Sequence, residues 1–478
     1  MAERKVDVAI IGAGTAGLAA YREVLKHTDR VVLIEGGPHG TTCARVGCMP
    51  SKLLIAAAEA AHAVADAPVF GVQPGQIRID GKAVMRRVRA ERDRFVGFVI
   101  ESVESFPKEH RLEGHVRFID DHRLQVGDDL TVEAARIVIA TGSRPSFPGF
   151  LDVGELLVTN DDVFDWTDLP ESAVVFGGGI VGLELGQALH RLGVRLRLFG
   201  KGGAVGPLVD PKVKAYAAKT FAAEFPFDPD AEVGAVARQG GKVAVTFTDG
   251  AGEERTETFD CLLAATGRRP NVDRLGLENT GLELDDQGIP VFDRFTARCG
   301  DSHVFIAGDV DDEVPLLHEA ADEGKIAGDN AGRYPDVRAQ PRRAALSIVF
   351  CDPQIAIAGR SWRELQSEKV DHAIGEVSFE DQGRSRVLNR NRGLLRLYGA
   401  HGTGLFLGAE MIGPAAEHIG HLLAWAVQQG LSVHEILAMP FYHPVVEEGL
   451  RTGLRDLTRQ LRMGPEVVPR CLDCGPGG

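Results

Sequence analysis

The chain has 478 residues, 44% of them apolar and 25% charged, with a formal net charge of −15. That length exceeds one ordinary domain, and the balance excludes a disordered chain, a coiled coil and a helical membrane bundle. The acidic surplus argues against a nucleic-acid binder, which needs a basic face for phosphates.

In chain order, residues 6–11 form a short apolar run, the pattern of a buried strand. The loop Gly12-Ala13-Gly14-Thr15-Ala16-Gly17 follows, then a helical pattern to about residue 26 and a strand at 31–34 ending in Glu35. The same order recurs: a strand at 173–176, the loop Gly177-Gly178-Gly179-Ile180-Val181-Gly182, a helix to 192 and a strand at 194–199. Both fit the dinucleotide fingerprint. Its first glycine makes the turn, its second lets backbone approach a pyrophosphate, and its third lets helix and strand pack closely. The phosphates then meet a helix N-terminus, whose free N–H groups favour negative charge. One such loop is weak evidence; the ordered set occurring twice is much stronger.

The two units differ at one position. Glu35 follows Gly12 by 23 residues, where a carboxylate can accept both hydroxyls of an adenosine ribose, as in FAD or NAD. The matching position after Gly177 is Gly200, followed by Lys201. The second site therefore tolerates a 2′-phosphate and leans slightly towards NADPH, with NADH still open. Strands at 137–140 and 261–265 lead into near copies, Thr141-Gly142-Ser143-Arg144-Pro145 and Thr266-Gly267-Arg268-Arg269-Pro270. A strand at 304–307 leads into Gly308-Asp309. Beyond about residue 341, strands at 347–350, 373–379, 394–398 and 405–411 and helices at 417–428 and 444–461 outline an α+β unit.

The seven cysteines are unevenly placed. Cys261, Cys299 and Cys351 stand alone and read as small buried residues. Cys43 and Cys48 lie five apart, just before Pro50-Ser51-Lys52 and an alanine-rich helix expected over 50–64. A thiol at a helix N-terminus has a stabilised thiolate, and a second thiol in reach makes a redox-active pair. Two ligands without a second pair nearby disfavour a metal site. Cys471 and Cys474 close the chain among Pro and Gly, as a flexible tail with incidental cysteines, an electron relay or a metal-capturing pair. The charged N-terminus and the lack of an 18-residue apolar run predict a cytoplasmic protein without a spanning helix. His443 precedes Pro444 at an expected helix start, with the carboxylates of Glu447 and Glu448 following on the first turn; such a histidine is poised as an oriented base, although by itself an ordinary capping histidine is the commoner reading.

These motifs together resemble the class I pyridine nucleotide–disulfide oxidoreductases, and within them the dihydrolipoamide dehydrogenases, over essentially the whole chain. The resemblance implies two Rossmann-like dinucleotide-binding domains plus a C-terminal α+β dimerisation domain. The implied boundaries are an FAD-binding domain at 1–148 and 273–342, an NAD(P)-binding domain at 149–272, a dimerisation domain at 343–465 and a cysteine-containing tail at 466–478. It implies FAD along Gly12, Gly14 and Gly17, with Glu35 on its ribose and Asp309 near its ribityl chain. Gly177, Gly179 and Gly182 would hold the nicotinamide dinucleotide; Thr42, Thr141, Gly142, Lys201 and Gly267 complete the cofactor-binding set. Cys48 would face the flavin and Cys43 would exchange with substrate. Lys52 would pair with Glu184. His443, oriented by Glu448, would reach in from the other subunit of a homodimer.

The implied reaction moves electrons between a nicotinamide nucleotide and a lipoyl-like dithiol. An NADPH-dependent disulfide or metal-ion reductase is the alternative in the same fold; a flavoprotein quinone reductase or transhydrogenase is the alternative of another class. Several positions depart from the family pattern: Thr41 where a second glycine is usual, Arg45 between the cysteines, Phe441, Tyr442, Val445 and Glu447 around His443, and Gly200.

Overall fold

The computed structural model describes residues 2–464. Cys471 and Cys474 lie outside them. The chain divides into two compact units, the first Met1–Gly203 with Phe225–Arg342, the second Ala204–Glu224 with the chain from Arg343.

The first unit holds both glycine fingerprints. One sheet carries five parallel strands in the order Arg111–Glu113, Val31–Glu35, Ala2–Ile11, Leu130–Ile139 and Val304–Ile306. Val8 and Ile10 pack with Tyr21, Leu33, Val138 and Phe305 on one face. Ala9 and Ile11 pack with Val32, Ile34, Ile137 and Ile139 on the other. Burial on both faces is why the strand reads as a continuous apolar run rather than an alternating one. A second parallel sheet repeats the order with Phe227–Asp228, Arg195–Phe199, Ser172–Phe176, Cys261–Ala264 and Leu157–Val158. In each sheet the order reverses beside the strand that feeds the glycine loop, the place where an open α/β sheet leaves a crevice for a ligand. The near-copy exits pair with each other: Ser143–Pro145 runs antiparallel to Arg268–Pro270.

The second unit is a five-stranded antiparallel sheet in the order Leu346–Val349, Gln354–Gly359, Phe406–Gly413, Leu394–Ala400 and His372–Ser378. Helices Ala416–Gln428 and Glu448–Gln460 cover its apolar face, burying Ile419, Leu423, Leu450, Leu454 and Leu457 against Leu395, Leu397 and Met411. Helix Pro211–Ala222 joins this unit through two fully buried carboxylates. Glu410 accepts from the backbone N–H of Val209 and Asp210, each at 2.8 Å. Asp210 caps the helix and takes Arg396 at 2.8 Å and the Tyr398 hydroxyl at 3.0 Å.

Several elements differ from the sequence expectation. The cysteine helix runs Cys48–Asp66 rather than from Pro50, because Pro50 falls in the first turn, where its missing N–H costs nothing. The last helix begins at Glu448 rather than Pro444, since the Glu448 carboxylate first accepts the Val445 N–H at 3.3 Å and closes a turn ahead of it. Helix Gly81–Glu104 was hidden by its arginine-rich surface; Asp80 caps it, and Met85, Val88 and Val103 are its buried residues. Strand Gln354–Gly359 was also missed.

Among the described residues, one helical run, Thr42–Phe70, is long and apolar enough to cross a membrane by length and composition. Uninterrupted apolar runs missed it because Ser51, Lys52 and Glu59 break the series. Its Cys48–Asp66 part packs on Gly81–Glu104 and Ile180–Arg191.

Candidate active site

The redox pair sits on two consecutive helical segments. Thr41 opens the first, Thr42–Val46, and its hydroxyl accepts the Ala44 N–H at 3.3 Å. Thr41 holds φ +61° and ψ +150°, a conformation that glycine adopts freely and a β-branched residue holds at a cost of about 1–3 kcal/mol. Gly47 ends this segment and precedes Cys48, the first residue of the next helix. The Asn160 side chain ties the loop down by donating to the Val46 carbonyl at 2.8 Å.

Both thiols are reduced; Cys43 is half-buried and Cys48 exposed. They are pushed apart electrostatically. The Cys43 thiol donates to Cys48, and the Lys52 ammonium adds to that, so the Cys48 thiol is lowered to about 7 against the opposing effects of burial and Glu184. The same hydrogen bond, with burial, pushes Cys43 up. Lys52 stands one turn after Cys48 and pairs with Glu184 at 2.7 Å; Glu184 is 4% exposed on helix Ile180–Arg191. Cys43, Cys48, Lys52 and Glu184 are therefore brought together. The arrangement leaves one sulfur about half thiolate at neutral pH and the other protonated, the polarity that thiol–disulfide exchange requires.

The glycine loops meet the steric test for two dinucleotides in parallel. Gly12 and Gly177 hold φ +107° and +121°, and a Cβ there would stand 2.3 Å from the Ala140 carbonyl oxygen and 2.1 Å from that of Ala265. A Cβ on Gly17 or Gly182 would stand 1.8 Å from the carbonyl oxygen of Gly12 or Gly177. Gly14 and Gly179, by contrast, have nothing within 4 Å of their Cβ direction, which leaves room for a pyrophosphate. Glu35 accepts the Ala13 N–H at 2.7 Å and the Gly37 N–H at 2.8 Å.

A cavity of about 410 Å³ opens beside Glu35, lined also by Ala13, His39, Lys108 and Arg111. His39 Nδ1 and Arg111 Nε are buried there without a partner in the protein. These orphaned atoms and the open loop fit the adenosine end of FAD. His39, Lys108 and Arg111 were not expected from the sequence: Arg111 opens a strand of only three residues, too short to show a pattern.

The remaining residues fall into place around these loops. Asp309 accepts the Ser143 hydroxyl at 2.9 Å. Thr141 donates to the Asn271 carbonyl and Asn271 donates back to the Thr141 carbonyl, both at 2.9 Å. Gly142 accepts the Asn271 N–H at 2.9 Å, and Gly267 accepts the Ser146 N–H at 2.9 Å. Thr42 and Lys201 are exposed. Cys299 and Cys351 are buried as expected of lone cysteines, whereas Cys261 is half-buried.

His443 and Glu448 lie in the second unit. The imidazole Nδ1 is 3.1 Å from both Glu448 oxygens, and hydrogen bonding from the His443 ring holds the Glu448 carboxyl below the usual range. The ring is 80% exposed, so Nε2 faces outward as the available base.

Comparison with known proteins agrees with this layout. The pyridine nucleotide-disulphide oxidoreductase family matches residues 6–324, and the dimerisation domain of that family matches 346–453. A mercuric reductase from Streptomyces lividans is 31% identical over 95% of this chain and 96% of its own length. A dihydrolipoyl dehydrogenase from Haloferax volcanii is 29% identical over 93% of this chain and 94% of its own. The solved structure of RclA, an HOCl-induced flavoprotein disulfide reductase from Escherichia coli, superposes with a TM-score of 0.80 at 21% identity, over 95% of this chain and all of its own. The chain belongs to the class I pyridine nucleotide–disulfide oxidoreductases, flavoproteins that use FAD and NAD(P)H.

Proposed function

We propose that this flavoprotein oxidises a lipoyl-like dithiol through the Cys43–Cys48 pair, with a nicotinamide nucleotide as the final acceptor. The observation that carries this is the opposed poise of the two thiols, Cys48 lowered and Cys43 raised, beside the Lys52–Glu184 pair. The cofactor groups fit, as the open glycine loops and the cavity at Glu35 indicate. Bound FAD supplies a two-electron acceptor that exchanges a hydride with the nicotinamide.

The protein's own residues do the rest. In the oxidised enzyme Cys43 and Cys48 share a disulfide. His443, supplied by a second copy of the chain, takes the proton from one substrate thiol through Nε2 while Glu448 stabilises the imidazolium. The substrate thiolate forms a bond to the Cys43 sulfur, and the Cys43–Cys48 bond breaks. Cys48 leaves as a thiolate at its helix N-terminus, near the Lys52 charge. The second substrate thiol then attacks the substrate sulfur of the mixed disulfide and passes its own proton to the departing Cys43 sulfur, releasing oxidised substrate, while the first proton stays on His443. The substrate loses two electrons and the cysteine pair gains them. Lys52 and Glu184 position the thiolate electrostatically, and Thr41 and Asn160 fix the loop that carries Cys43.

The experiment is reduction of the purified enzyme by NADH or NADPH, followed by turnover with lipoamide, glutathione disulfide and mercuric ion. Cys48→Ser should abolish the long-wavelength absorbance of a thiolate beside flavin, and Cys43→Ser should retain it. Fastest turnover with lipoamide supports the dithiol reading. Turnover only with glutathione disulfide or mercuric ion would replace it by a reductase.

A further inference from the structure

The second dinucleotide loop has no acid where the first has Glu35, and the packing accounts for this. A Cβ at Gly200 would stand 2.6 Å from the Pro229 carbonyl oxygen, so no side chain fits there without a shift of backbone. The turn that crowds Gly200 follows strand Phe227–Asp228, which runs parallel to Arg195–Phe199 with Asp228 opposite Phe199. Three backbone hydrogen bonds lace the two strand ends together. Gly200 N–H donates to the Asp228 carbonyl at 2.7 Å, Gly203 N–H to Pro229 at 3.0 Å, and Ala231 N–H to Gly200 at 3.3 Å.

Asp230 is exposed on this platform, and its Oδ1 accepts the Gly202 N–H at 2.7 Å. Gly202 follows Gly177 by 25 residues, the same interval that separates Gly37 from Gly12. In the first unit it is the Gly37 N–H that donates to Glu35, at 2.8 Å. The equivalent backbone donor therefore holds a carboxylate in both units. In one the carboxylate comes from the end of the second strand; in the other it comes from the turn after the third. The adenosine of a dinucleotide lies across these strand ends.

We infer that Asp230 replaces the missing acid and reads the adenosine ribose hydroxyls of the nicotinamide nucleotide, so that the enzyme selects NADH over NADPH. A 2′-phosphate would face the Asp230 charge, with exposed Lys201 as the adjacent cation. The inference rests on nicotinamide nucleotide binding by this unit.

The test uses the full-length FAD-loaded enzyme. NAD⁺ and NADP⁺ are titrated calorimetrically into the oxidised protein, and KM and kcat are measured for NADH and NADPH. Wild type should bind NAD⁺ more tightly than NADP⁺. Asp230→Ala should weaken NAD⁺ by about tenfold, the size of a lost charge-assisted hydrogen bond, and should act on KM for NADH rather than kcat. Asp230→Asn should narrow the discrimination against NADP⁺, and Asp230→Glu should keep the preference for NADH. If Asp230→Ala does not fold, the Asn and Glu variants carry the comparison. A wild type that prefers NADPH, or an Asp230 series with an unchanged NADH-to-NADPH ratio, overturns the assignment while leaving nucleotide binding intact. Failure of both nucleotides to bind removes nucleotide binding at this unit and the assignment with it.

Discussion

Replacing Lys52 with methionine removes one charge from the thiol pair and exposes another. Lys52 lowers the Cys48 thiol, and its partner Glu184, buried on the adjacent helix, raises it. In the wild type Cys48 is lowered to about 7. Half of it is then thiolate at pH 7, against about 3% for an ordinary thiol titrating near 8.5. The whole perturbation is thus worth about fifteenfold in thiolate at pH 7, with the Cys43 hydrogen bond the largest share. Lys52→Met leaves that hydrogen bond, removes the cation and leaves Glu184 uncompensated. An upward move of the Cys48 midpoint by about one unit is expected, and with it a fall of about fivefold to tenfold in alkylation rate at pH 7. Glu184→Gln should act in the opposite direction.

The assay is iodoacetamide labelling of the reduced enzyme across pH 5–10, from about two units below the wild-type midpoint of about 7 to about two above the midpoint expected for Lys52→Met, with peptide mapping to separate Cys43 from Cys48. A depressed thiol stabilises the fold above its unfolded value, and that stability is lost as pH falls through about 7. Labelling of Cys43 before Cys48 would refute the reasoning. So would a Cys48 midpoint in the ordinary range, or Lys52 and Glu184 variants that shift it in the same direction.

Further tests address the other parts of the molecule. Gly182→Ala places a Cβ 1.8 Å from the Gly177 carbonyl oxygen, so it should abolish reduction by both nucleotides while the flavin spectrum persists; Gly17→Ala should instead yield protein without flavin. Glu448→Gln keeps a hydrogen-bonding group beside His443 but loses the charge, and should slow dithiol turnover by about 10- to 100-fold while reduction of the enzyme by nicotinamide nucleotide is unchanged in stopped-flow absorbance. Burial first, and then the Glu323 carboxylate, push the Asp311 carboxyl up. A carboxyl raised to about 8 keeps its proton in the fold at low pH and loses it as pH rises, so Asp311→Asn should raise the thermal midpoint more at pH 9.5 than at pH 5.5, the two lying about a unit or more either side of it. Equal shifts at both pH values would contradict this.

Much of this was legible because the signals were local. Gly12 to Gly17 and Gly177 to Gly182 are steric demands written into six consecutive residues, and the structure shows matching clashes in both copies, with 1.8 Å at Gly17 and Gly182 alike. Cys43 and Cys48 were readable from their spacing and the helix that follows. Lys52 with Glu184 entered only through family likeness, since 132 positions separate them in the chain. Other features were hidden because they depend on packing between distant segments. Arg111 and His39 face the cavity beside Glu35 only because a three-residue strand pairs with Val31–Glu35. The buried carboxylates Asp210 and Glu410 look like surface acids until the helix they hold is docked on the Phe406–Gly413 strand.

Gly200 shows how a local reading can find the right gap and lack its filling. In sequence, the absence of an acid at that position, with Lys201 next to it, leaves the nucleotide open. In the fold the position is empty because the Pro229 carbonyl occupies its space, and the same turn presents Asp230 to the Gly202 N–H. A backbone donor fixed by the strand end does not specify which strand supplies its acceptor. Two copies of one architecture can therefore keep the donor and change the source of the carboxylate, and a comparison by position alone records that exchange as a loss.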